Sequence, residues 1–166
     1  MNNNIIMIGM PGSGKSTVGV VLAKILQMDF LDVDLVIQSR FGKPLQTILD
    51  EEGMEHFLEL EADVLQTIHC EKTVIAPGGS AVLTQRGAEA LHQLGKLVYL
   101  KVEPEELEKR LRNLATRGVA MKPGQTILDV YRMRAPFYEA NADVTVPERG
   151  SIEETAREIC KAIEEQ

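Results

Sequence analysis

The chain of 166 residues has no tryptophan, four phenylalanines and three tyrosines. With so few aromatics the core must be aliphatic, and a composition that is 44% hydrophobic supplies the Ile, Val, Leu and Ala that suit buried parallel strands. Cysteine is scarce too. Cys70 and Cys160 are the only two, and neither belongs to a Cys-x-x-Cys or other metal-type spacing, which argues against a disulfide or zinc scaffold and for a reduced, cytoplasmic setting. No run of roughly 18 or more apolar residues occurs, so a membrane-spanning helix is not expected. Met1-Asn2-Asn3-Asn4 leads into the first apolar run without a charged leader or a cleavage site, so a soluble, untargeted protein is expected. Positive charge is in the minority. A net charge of -7 argues against general binding to nucleic acid or to anionic membranes, which such a surface would repel. His56, His69 and His92 are scattered without convergent partners and read as ordinary surface or boundary residues.

What the chain does have is a phosphate-binding loop. Residues 9 to 16 read Gly9-Met10-Pro11-Gly12-Ser13-Gly14-Lys15-Ser16, directly after the apolar run Ile5-Ile6-Met7-Ile8 and before a helical stretch that starts near Lys15. In a loop of this kind glycines let successive backbone N–H groups turn inward on a polyphosphate, and the following helix points its positive end at the same anion. Gly12, Ser13, Gly14, Lys15, Ser16 and Thr17 are therefore the expected nucleotide-binding residues, with Lys15 on the β- and γ-phosphates and the Ser16 hydroxyl on Mg²⁺. The ligand is expected to be a nucleoside triphosphate.

At this length the chain is expected to form one domain, residues 1–166. Short apolar runs alternate with helical patterns, the signature of βαβ units and an α/β fold. Five strands are predicted: Ile5 to Ile8, Phe30 to Val33, Thr73 to Ala76, Lys96 to Val102 and Asp143 to Val146. Helical spacing marks Val18, Val21, Leu22 and Ile25, then Phe57, Leu60, Val64 and Ile68, and finally Ile152, Ile159 and Ile163 behind a capping box of Ser151 and Glu154. Residues 115–125, amid cations and containing Gly118, Pro123 and Gly124, have the make-up of a mobile lid between helices at Pro104 to Leu114 and Ile127 to Ala140.

Several residues carry chemistry beside the loop. Asp32 and Asp34 stand at the carboxyl end of the second strand, where ligands bind in open α/β sheets, and strand alternation places them on one face. Asp32 near Mg²⁺ and Asp34 near an acceptor hydroxyl is the division of labour that phosphoryl transfer to an alcohol needs. Gly78 and Gly79, after the third strand, allow close backbone approach to a substrate. Lys109, Arg110, Arg112, Arg117, Lys122, Arg132 and Arg134 face a single acid, Asp129, over one stretch, which points to a small, dense anion. Within it Arg117 can neutralise the transferring group, and Arg134 can grip a carboxylate or phosphate with two hydrogen bonds.

With these residues in view the chain resembles the shikimate kinase family nearly end to end. The loop at Gly9 to Ser16 matches, as does Phe30-Leu31-Asp32-Val33-Asp34. Gly53, Glu55 shifted by one place, Phe57 and Glu61 match the segment Gly-Glu-x-x-Phe-Arg-x-x-Glu, and Arg134-Ala135-Pro136-Phe137-Tyr138 is similar to Arg-x-Pro-Leu-Tyr. The resemblance implies a three-layer P-loop fold with a five-stranded parallel sheet and a lid, and a monomer that uses ATP and Mg²⁺ to phosphorylate shikimate. It implies that Asp34 holds the substrate hydroxyls and serves as base, that Arg110 stacks on adenine, that Arg117 meets the phosphates and that Arg134 binds the substrate carboxylate. It also makes residues 34–62 the acceptor-binding helical segment. Three positions depart from the pattern. Leu58 replaces an arginine that would join Arg134 on the carboxylate, Ser80 replaces the third glycine after Gly78 and Gly79, and Arg117 is followed by Gly118-Val119-Ala120. Leu58 lies off the centre of its helix's core stripe, on the flank of Glu61 and Leu65, and can face the acceptor pocket; Lys122 or Arg132 could supply the missing charge. A kinase for another hydroxy acid or polyol, or a nucleotide-binding regulator without catalysis, are the alternative readings.

Overall fold

A computed structural model describes residues 3–112, 122 and 124–165, with the backbone alone described at Arg112. The strands are β1 (Ile5–Ile8), β2 (Asp29–Asp32), β3 (Thr73–Ala76), β4 (Lys96–Lys101) and β5 (Val144–Pro147). Between and after them run α1 (Lys15–Leu26), α2 (Val33–Phe41), α3 (Leu45–Gln66), α4 (Gln85–Leu94), α5 (Pro104–Arg112), α6 (Ile127–Asn141) and α7 (Ile152–Glu164). The five strands form one parallel sheet in the order β2-β3-β1-β4-β5. Parallel pairing sends every strand's carboxyl end to the same edge, and the order reverses beside β1, so the crevice for a ligand opens behind that strand.

The burial follows the composition. Every residue of β1 and β3 is buried, as are Leu97, Val98, Tyr99 and Leu100 of β4, so the middle of the sheet is dry on both faces. α1 packs against α7 and against β1, β2 and β3, while α4 and α6 pack on β4 and α3 on α4. Among the described residues no helix is long and apolar enough to cross a membrane.

The strands lie within a residue or so of their predicted bounds, and the helices differ more. The helical segment that the resemblance implies over 34–62 is two helices, α2 and most of α3, which helical spacing did not separate because α2 buries only Val33 and Ile37; α4 was not anticipated, and it contains Gly87 and begins behind Thr84, whose hydroxyl accepts the Gly87 N–H. Ile25 and Ile152, expected on core faces, are 36% and 45% exposed. α3 is interrupted at Gly53, where φ is 75° and ψ 166°, leaving an arm with Leu45 and Leu49 ahead of a straight segment carrying Phe57 and Glu61. The lid expected over 115–125 lies almost wholly outside the described residues.

One buried side chain ties the far edge of the sheet together. Asn4 is 2% exposed; its amide nitrogen donates to the carbonyls of Cys70 at 2.8 Å and Leu94 at 2.9 Å, and its oxygen accepts the Thr73 N–H at 3.0 Å. Truncation strands three buried polar groups at once. Asn4→Ala should lower the free energy of unfolding by about 2–4 kcal/mol, read as a drop in the calorimetric melting temperature of roughly 5–15 °C.

Candidate functional site

The loop behind β1 is built as its glycines dictate. Gly12 and Gly14 take φ of 77° and 88°, a region open to glycine at no steric cost, and Gly14 caps α1 without using a side chain. The first turn of α1 is thereby left with its N–H groups facing a cavity of about 650 Å³. Lys15 starts the helix inside that cavity, buried, with its ammonium donating to the Met10 carbonyl at 2.8 Å. Burial pulls this ammonium down to about 8 against an ordinary 10.5, with the Asp34 carboxylate opposing the shift. Ser16 and Thr17 are exposed on the same wall, and Ser13 is buried within the loop.

Asp32 and Asp34 do meet near the loop, though not through strand alternation. β2 ends at Asp32, which caps α2: its Oδ1 accepts the backbone N–H groups of Asp34 at 3.0 Å and Leu35 at 3.4 Å. Asp34 is therefore in the first turn of a helix, and the turn rather than the pleat points it at the cavity. The other oxygen of Asp32 accepts the Ser16 hydroxyl at 3.3 Å, so the two side chains expected to serve Mg²⁺ are adjacent. Asp34 Oδ1 is buried and has no hydrogen-bond partner among the described residues. Burial raises the Asp34 carboxyl above its ordinary value, Asp32 adds to the shift, and Lys15 opposes it.

Gly78 and Gly79 line the cavity beyond the end of β3, and what they approach closely is the protein itself. A side chain on residue 78 would begin 2.7 Å from Glu61 Oε1 and 3.1 Å from Asp34 Oδ1, and one on residue 79 would begin 2.9 Å from Pro11. Ser80 turns its hydroxyl to Glu61 Oε2 at 2.8 Å, so the added side chain is buried and satisfied instead of obstructing the cavity. Glu61 is 1% exposed, and burial pushes its carboxyl up to about 7, the Ser80 hydrogen bond and the cations Arg134 and Lys15 opposing and Asp34 adding. Arg134, on α6, is also 1% exposed and lines the cavity. Tyr138, one turn on, donates from its hydroxyl to the Gly79 carbonyl at 2.6 Å and so anchors α6 to the glycine segment.

The remaining residues separate. Arg110 lines the cavity and is held by Glu148, while Lys109, Lys122 and Arg132 are exposed and do not line it. Arg117 and the Arg112 side chain lie outside the described residues. Leu58 is half-buried and absent from the cavity wall; Leu45, Leu49 and Phe57 form the apolar part of that wall instead. Glu61, as a partner of Ser80, and Tyr138 and Glu148 were not assigned roles from the sequence. Only the matches of Glu61 and Tyr138 to family segments pointed at any of them.

The titration of Glu61 has a definite sign. Its carboxyl sits at about 7 in the fold against 4.5 ordinarily, so the protonated form favours folding; that share of the stability is complete below pH 4.5 and is lost as the pH rises through about 7. Asp34 shifts in the same direction, and Lys15 acts only at higher pH, between about 8 and 10.5. Glu61→Gln should therefore become more stable relative to the parent as the pH rises from 4.5 to 7, by at most a few kcal/mol. Urea unfolding of both proteins across that window measures the difference, and parallel pH profiles would contradict it.

Comparison with known proteins agrees with this geometry. The family model described as shikimate kinase matches residues 11–164. A shikimate kinase from Moorella thermoacetica is 37% identical over 166 residues, covering 98% of this chain and 95% of that protein. Among solved structures, a shikimate kinase from Acinetobacter baumannii in complex with shikimate superimposes with a TM-score of 0.90 at 30% identity, covering 99% of this chain and 94% of that one. A shikimate kinase from Aquifex aeolicus gives a TM-score of 0.83, also at 30% identity, with 97% and 96% covered.

Proposed function

The chain belongs to the shikimate kinase family and is an ATP-dependent small-molecule kinase, and we propose that the cavity behind β1 transfers the γ-phosphoryl group of ATP to a hydroxyl of shikimate. The observation that carries this reading is the placement of Asp34 Oδ1, a buried acceptor without a partner among the described residues, in the cavity that also holds Lys15 and Arg134. A hydroxyl of the acceptor donates to that oxygen. Its oxygen attacks the γ-phosphorus, the bond from the γ-phosphorus to the β,γ-bridging oxygen breaks, ADP leaves, and the hydroxyl proton passes to Asp34. A carboxyl raised by burial suits this proton acceptance better than an exposed one.

Lys15 exchanges its bond to the Met10 carbonyl for the β- and γ-phosphates, and Gly12, Ser13, Gly14, Ser16 and Thr17 wrap the polyphosphate. Gly78 and Gly79 border the acceptor, with Arg134 on its carboxylate. Mg²⁺, a hard cation that takes oxygen ligands, fits the Ser16 hydroxyl and Asp32 carboxylate, which lie within 3.3 Å of each other; bound there, it neutralises phosphate charge. Since Leu58 does not reach the wall, the acceptor's carboxylate rests on Arg134 as its guanidinium, and the opposite wall of Leu45, Leu49 and Phe57 suits the carbon face of a ring.

An assay coupled to ADP release over shikimate, quinate, gluconate, homoserine and nucleoside monophosphates tests the acceptor. Shikimate should be used best. Lys15→Ala should impair ATP use with every acceptor, whereas Asp34→Asn should keep ATP affinity and lower kcat by about 10²- to 10⁴-fold. Arg134→Lys, which replaces a planar fork by a point charge, should raise KM for shikimate by about tenfold and leave KM for ATP unchanged. Near-normal turnover in Asp34→Asn, or no ADP release with shikimate from a protein that binds ATP, overturns the assignment.

A further inference from the structure

Glu148 follows β5 and was singled out by nothing in the sequence. Its backbone is fixed to the sheet: β5 pairs with β4 through Lys101 and Pro147, and the Glu148 N–H donates to the Lys101 carbonyl at 2.9 Å. Its carboxylate takes Arg110 Nη2 on both oxygens, each at 2.6 Å. The rest of that guanidinium is bound as well. Nε donates to Glu106 at 3.1 Å, and Nη1 points at the carbonyls of Gly12 and Ser13, each at 3.4 Å. A guanidinium held along all its edges has only its flat faces left for a ligand, and Arg110 and Glu148 line the same cavity as Gly150, Ser151 and Ile152.

We infer that Glu148 is a positioning residue for nucleotide binding: it fixes the Arg110 guanidinium, from an anchor on the sheet, so that a flat face is presented to the base of the nucleotide. The inference rests on the reading of this cavity as the ATP site. An arginine on the last turns of a short helix otherwise loses rotamer freedom on stacking, and a carboxylate that already holds it removes that loss from the binding step. The Glu106 bond is a weaker hold, since it joins two positions on one exposed helix and restrains the side chain only to α5.

The test compares ATP with inorganic tripolyphosphate, which has the phosphates and lacks the base, by calorimetric titration of the full-length protein. Glu148→Gln should weaken ATP about five- to tenfold while leaving tripolyphosphate within about twofold. KM for ATP should rise with kcat and KM for shikimate unchanged, and Glu148→Asp should recover part of the loss. In an Arg110→Ala background, Glu148→Gln should change ATP affinity by less than about twofold, because the group it positions is gone. Equal weakening of both ligands, undiminished ATP affinity in Glu148→Gln, or a full effect without Arg110 overturns the inference. A parent protein that binds tripolyphosphate no more weakly than ATP removes the base contact itself, and with it the inference; a parent that binds neither overturns the ATP reading of the cavity.

Discussion

Charge balance in a nearly dry pocket is the constraint on which the rest of this structure depends. Lys15, Asp34 and Arg134 line one cavity and Glu61 acts electrostatically on all three, and Lys15, Arg134 and Glu61 are almost wholly removed from solvent. An isolated charge in such a place costs several kcal/mol, so each cation is tolerable only because a carboxylate answers it. The set is held by four separate elements: α1, α2, α3 and α6. Moving any one of them would leave an uncompensated ion, which gives the parallel sheet beneath a reason to be rigid. The same tension keeps Lys15 and Glu61 displaced from their ordinary titration ranges, toward values at which each can respond to an arriving anion.

The packing around residues 78 to 80 shows how closely this balance is set. Neither glycine leaves room for a side chain: a Cβ on residue 78 would crowd two carboxylates and one on residue 79 would crowd the Gly9–Pro11 loop, so the end of β3 fits between them only as bare backbone. Ser80 belongs to the same segment. Its hydroxyl stabilises the ionised form of Glu61, and Tyr138 holds the segment through the Gly79 carbonyl. A third glycine at position 80 would leave Glu61 Oε2 without that donor.

The fold and the glycine loop were legible in the sequence for a common reason: both are written in contiguous residues. The apolar runs that became β1, β3 and β4 needed only local composition, and the loop from Gly9 to Ser16 carries its own geometry. Asp32 and Asp34 were placed correctly for an incorrect reason, since the helix that begins at Val33 has too few buried positions to show a periodic pattern. Partners brought together by the fold were not legible. Glu61 and Ser80 are 19 positions apart, Arg110 and Glu148 are 38 apart, and Gly79 and Tyr138 are 59 apart, so no spacing rule connects them. The run of cations from Lys109 to Arg134 misled for the converse reason. Nearness in sequence was read as nearness in space, and only Arg110 and Arg134 of its described side chains reach the cavity.

The break in α3 at Gly53 divides labour within a single helix. Ahead of it, Leu45 and Leu49 meet the cavity as shape alone; behind it, Phe57 meets the same cavity and Glu61 belongs to the charge network. A rigid rod would transmit every adjustment of the first pair to the second. Because the helical hydrogen-bond ladder is interrupted there, the arm can accept substitutions, or shift its angle to a bulkier ring, without dragging a buried carboxylate out of register. Selectivity and chemistry can therefore diverge independently along this chain, with one glycine as the joint between them.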